Sequence, residues 1–95
     1  MPEMLFHIRW PDGTTERCYS PSLVIRDHLE AGATYHLTEF MRRSRTALTV
    51  ASDRVREKYG FACSRAMAQL ARLEAGAGRF ERLADARVTI TSFEE

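Results

Sequence analysis

Apolar and polar positions alternate along "MLFHIRW", with Met4, Phe6, Ile8 and Trp10 on one side and Leu5, His7 and Arg9 on the other. A period of two is the mark of a half-buried strand. "PDG" at Pro11 to Gly13 combines a fixed φ, a turn-forming side chain and a residue tolerant of positive φ, which predicts a tight hairpin. "TTERCYS" then returns antiparallel, with Glu16, Cys18 and Ser20 on one side and Thr15, Arg17 and Tyr19 on the other. Pro21 has no N–H to give to a ladder, so this strand is expected to end near Ser20. Ser22 is placed to cap "LVIRDHLEAG", where Leu23, Val24, Ile25 and Leu29 have the spacing of a short helix that Gly32 would end.

After a loop at "ATYH" the period changes. Leu37, Met41, Ser44, Leu48, Ala51, Val55 and Tyr59 recur every three to four residues, which predicts a long amphipathic helix stopped by Gly60. "CSRAMAQLARLEAGAG" repeats the pattern through Cys63, Met67, Leu70 and Leu73, with Ser64 as its expected cap and Gly76 and Gly78 fraying its end. Two helices joined by "GFA" make an antiparallel pair. "RVTITSF", Arg87 to Phe93, sets Val88 and Ile90 against Thr89, Thr91 and Phe93 and reads as a third strand. The expected fold is therefore one small α+β domain over residues 1–95, in the order β-β-α-α-α-β. A three-stranded antiparallel sheet would pack on a helical layer dominated by the long helix.

Composition adds limits. Apolar residues form 44% of the 95 and charged residues 28%, an ordinary globular balance. No run of about 18 apolar residues could span a membrane, and "MPEMLFHIRW" has an acid and a histidine where a signal peptide needs an apolar core. A cytoplasmic protein without membrane contact is expected. Cys18 and Cys63 lie far apart in sequence, and in a reducing compartment they are expected as free thiols rather than a disulfide. The net charge of +1 hides seven basic residues against two acids between Arg42 and Arg65.

Candidate chemistry is sparse. Cys18, Cys63, Ser20 and Ser64 are available nucleophiles and His7, His28 and His36 available bases, but no local signature joins them. Cys63 is the weak catalytic candidate, because a thiol at a helix start beside Arg65 has its thiolate favoured. Every Cys and His stands alone in sequence, so no metal site is expected, and no cofactor motif is present. Asp27, Glu30, Glu39 and Asp53 have only the spacing of surface acids. "GAG" at Gly76 to Gly78 lacks the rest of a phosphate loop. Phe6, Trp10 and Tyr19 could stack bases, though sheet aromatics more commonly fill cores. Arg42, Arg43, Arg45 and Arg56 lie off the apolar stripe; a solvated face, an acidic protein partner and nucleic acid each fit them. If "CYSPS" meets "CSRA" in space, Ser20, Ser22, Arg26 and Arg65 would line a pocket, with an arginine as anion clamp.

"RWPDG", "CYSPSLVIRD", "RSRTALTVASDRVREKYGF" and "CSRAMAQLARLE" occur in this order between Arg9 and Glu74, within a resemblance that runs from Met1 to about Phe93. Together they resemble a family of short bacterial proteins, first named from mycobacteria, called nitrogen starvation response proteins. The resemblance implies a genomic setting beside a nitrilase and other recognisable enzymes, and it brings no catalytic residue or cofactor. Ala62 stands where the family pattern often has a proline, which bears on how firmly the last helix starts. Three readings follow: a non-enzymatic accessory protein binding an enzyme of that cluster, a nucleic-acid-binding regulator, and a small thiol-dependent or ligand-binding subunit. A homodimer is compatible with each.

Overall fold

The hairpin forms where alternation and turn chemistry place it. In a computed structural model describing residues 3–61 and 63–94, β1 (Met4–Arg9) and β2 (Thr15–Ser20) pair antiparallel. The turn closes through Trp10 N–H to Thr14 O at 2.8 Å and Gly13 N–H to Trp10 O at 2.9 Å, with Gly13 at φ 88°. Ala62, whose identity bears on the start of the last helix, lies outside the described residues.

Helix α1 is only Ile25–His28, shorter than its apolar spacing suggested. Leu29 is already extended, and Glu30 N–H donates to the Tyr35 hydroxyl at 2.9 Å, which draws the chain away from a further turn. The positive φ of Gly32 serves a different purpose from a helix cap. Its N–H donates to Ile90 O at 2.7 Å, and Ile90 N–H returns to Ala33 O at 2.9 Å. These bonds lay Thr34–His36 against the last strand as β3.

The sheet therefore has four strands, not three, in the order β2-β1-β4-β3, all antiparallel. Three residues are too few to show a period, so "ATYH" reads as loop until its partner is known. The last strand, β4 (Arg87–Glu94), contains a second correction. His7 pairs with Ser92 but Ile8 with Ile90, so Thr91 bulges out and its hydroxyl donates to His7 O at 3.1 Å. One extra residue reverses the phase. Phe93 consequently faces Phe6 on the core side, instead of sharing the outer side with Thr89.

Helix α2 occupies Leu37–Tyr59, and Gly60 ends it at φ 86° with its N–H on Arg56 O at 2.8 Å. Helix α3 runs Ser64–Gly78. Ser64 is its first helical residue rather than its cap. Cys63 holds the cap position, positioned by its N–H on Ser52 Oγ at 3.2 Å, and its own side chain caps nothing. The buried face of α3 is Ala66, Gln69 and Leu73, one step round from the expected Met67 stripe. Gly76 lies within the helix, against Trp10, rather than fraying it.

All three helices pack on one sheet face. Phe6, Ile8, Trp10 and Ile90 from the sheet meet Ile25, Phe40, Leu48 and Leu73, and each such side chain fully buried contributes about 1.5–3 kcal/mol. Gln69, also buried, accepts from Tyr19 N–H at 2.9 Å and so covers part of the β2 edge.

Candidate functional site: the tip of the helical hairpin

The apolar stripe of α2 outlasts the core it serves. Burial continues from Leu37 through Ser52, but beyond it Val55 is only half-buried and Tyr59 is 53% exposed. Phe61 follows at 69%, and Met67 in the first turns of α3 at 40%. Val55, Tyr59 and Met67 were expected in the core; they instead sit around the α2–α3 turn of a molecule whose extents are 41 by 22 by 17 Å. Arg54, Arg56, Lys58 and Arg65 lie in the same stretch, against Asp53 and Glu57. Aromatic rings, methionine and arginine exposed together are the composition of a protein-binding surface.

The arginines expected to meet a partner are engaged within the chain. Arg42 and Arg43 both bind the Glu39 carboxylate, and Arg43 also donates to His28 O at 3.0 Å. The Arg42 hydrogen bond, with help from Arg43, holds the Glu39 carboxyl below its ordinary range. Arg45 pairs with Glu74 at 3.3 Å and Arg56 with Asp53 at 3.3 Å. Arg42, Arg45 and Arg56 remain exposed enough to exchange partners at little cost, whereas Arg43 is half-buried and also lies 5.0 Å over the Tyr35 ring. Only Arg56 belongs to the tip.

The residues expected to line a pocket separate. Ser20 Oγ donates to Ser22 O at 2.7 Å, and Ser22 Oγ accepts from Val24 N–H at 3.3 Å, so both buried hydroxyls build the turn into α1. Arg26 lines a separate cleft with Thr91, Ser92 and Phe93. Arg65 lies 3.9 Å over the Tyr19 ring and 3.5 Å from Glu3. "CYSPS" and "CSRA" do meet, but through Tyr19 and Cys63. Burial, followed by the adjacent Cys63 thiol, raises the Tyr19 phenol above its ordinary value.

A profile of the family described as nitrogen starvation-induced protein NitG matches residues 5–93. The chain belongs to this family. No curated protein and no solved structure is detectably similar to it. The NitG match spans β1 through β4 and includes the exposed tip, so the apolar overhang lies inside the family's shared extent. Among the described residues no group of three His, Cys, Asp or Glu is arranged to hold a metal ion, and no helix is long and apolar enough to cross a membrane.

The two thiols have opposite environments. Burial pushes the Cys18 thiol far above its ordinary value, whereas Cys63 is half-exposed at the start of α3. Iodoacetamide is expected to label Cys63 in the folded protein and Cys18 only after unfolding, as read by mass spectrometry. Equal labelling rates in the native protein would refute this placement.

Proposed function

We propose that this NitG-family chain is a non-catalytic accessory protein that binds a protein partner through the α2–α3 tip during nitrogen starvation. The observation that carries the reading is the amphipathic stripe of α2 running past its own core, with Tyr59, Phe61 and Met67 left exposed. Arg56 is paired with Asp53 and Arg65 with Glu3, while Arg54 and Lys58, exposed in the same stretch, form no ion pair among the described residues, so the complementary surface is an apolar groove rimmed by acids. A symmetric dimer through the tip would set like charges face to face, which favours a different protein. The gene neighbourhood implied by the family resemblance makes cluster enzymes the first partners to test.

A photo-crosslinking amino acid placed at Phe61, activated in nitrogen-starved cells, is expected to trap a protein that the same residue at Thr89 does not. Equal yields at the two positions, or none at Phe61, would remove the assignment.

A second reading has one supporting observation. The sheet face away from the helices presents Arg9, Arg17 and Arg87, of which Arg17 pairs with Glu94 at 3.8 Å and Arg87 with Asp85 at 3.0 Å, a surface that could meet a nucleic-acid backbone. Phe6 and Trp10 are in the core, which removes them as base-stacking platforms. This reading requires an affinity that falls steeply with salt, because phosphate contacts release counterions; salt-independent or absent binding would discard it.

A further inference from the structure

At the end of the helical hairpin opposite the tip, the start of α2, the last turn of α3 and the Phe80–Ala86 segment line an open cleft of about 500 Å³. We propose that this cleft binds a small amphiphilic amine, an apolar body carrying one ammonium group. Its volume is within the range of small-molecule sites, roughly 300–1,000 Å³. The proposal does not rest on the partner-binding reading.

The apolar side of the argument is in the lining. Leu37, Met41, Phe80 and Ala86 are buried side chains fixed by the main core, so the cleft is preformed. Leu83 lines the cleft and is 55% exposed, an apolar side chain open to solvent. The Phe80–Leu83 turn holds it there through Leu83 N–H to Phe80 O at 3.0 Å. An alkyl body entering the cleft would cover Leu83 and reach the buried surfaces below it.

The charge selects the head group. Glu74 and Glu81 line the cleft against one guanidinium, Arg45, which is already paired with Glu74 at 3.3 Å. Glu81 is left as the surplus carboxylate. The carbonyl end of α3 is engaged within the chain, Gly76 O accepting from Arg79 N–H at 3.2 Å and Ala77 O from Phe80 N–H at 3.0 Å, so the surplus charge is that of the Glu81 side chain. The opposing positive end of α2 is partly used within the chain: Leu37 N–H donates to Ala86 O at 2.9 Å and Thr38 N–H to His36 Nδ1 at 3.4 Å. An ammonium group is therefore favoured over a carboxylate.

The test is a titration of the isotope-labelled full chain with hexylamine, 1-hexanol and hexanoate, followed by amide chemical shifts. Saturable shifts at Thr38, Ala77 and Leu83 are expected, with hexylamine binding about fivefold tighter than hexanol, the upper scale of an exposed ion pair. Glu81→Gln should erase that preference while leaving hexanol unchanged, and Leu83→Ala should weaken both. Phe61→Ser, at the other end of the hairpin, should change nothing, which separates this site from the tip. Equal binding of the three probes, tighter hexanoate, or shifts that fail to saturate or fall elsewhere would overturn the proposal.

Discussion

Replacing Gly76 by valine is expected to lower folding stability by about 1–3 kcal/mol, the cost of overpacking a filled core. A Cβ at Gly76 would lie 2.7 Å from Cζ2 of Trp10 and 3.0 Å from its Cη2. The indole has no room to retreat. It is buried, stacked on Phe80 at 5.9 Å, met edge-on by Phe40 at 6.0 Å, and its Nε1 donates to Glu16 Oε1 at 3.0 Å. Turning the ring would sacrifice that hydrogen bond as well as the packing. Gly78, two residues on, has nothing within 4 Å of its would-be Cβ. Gly78→Ala should therefore raise stability by about 0.5 kcal/mol through lost unfolded-state entropy. Urea unfolding of the two variants checks the pair, and the same direction of change in both would show that Trp10 does not set the requirement for glycine.

The second large effect is expected at the tip, and it should leave the fold alone. Tyr59→Ser with Phe61→Ser removes two exposed rings, so folding stability should change by no more than about 0.5 kcal/mol. Affinity for the partner should fall by about 2–4 kcal/mol, the usual cost of removing central aromatic anchors. Neutralising Arg54 and Lys58 should act differently, slowing association and reducing its salt dependence more than it speeds dissociation. Titration calorimetry on the trapped partner, alongside urea unfolding, separates the two effects. A double variant that binds normally would mean that the overhanging stripe is not the contact.

Much of this fold is legible from local pattern. The β1–β2 hairpin follows from alternation and "PDG", and α2 ends where Gly60 adopts a positive φ. What escaped reading depends on tertiary partners. β3 exists because Ile90 receives Gly32 and answers Ala33, and neither bond leaves a trace in three residues of sequence. The bulge at Thr91 moves Phe93 to the core face with no turn residue to announce it. Gly76 reads as a helix end when its role is to admit an indole from the other layer. The tip was half visible: its residues fit the apolar stripe, but a 23-residue helix spans about 34 Å whereas the longest strand, of eight residues, spans about 26 Å. Tyr59 could not have been covered by that sheet. The family resemblance was readable over most of the chain, and it identifies a setting rather than a site.

Amide hydrogen exchange of the full chain, with and without the partner trapped through Phe61, tests the central claim most directly. The account predicts slowed exchange concentrated between Val55 and Met67, with β1, β2 and β4 unchanged. Protection appearing instead across the strands that carry Arg9, Arg17 and Arg87, with the tip exchanging as fast as in the free protein, would contradict it.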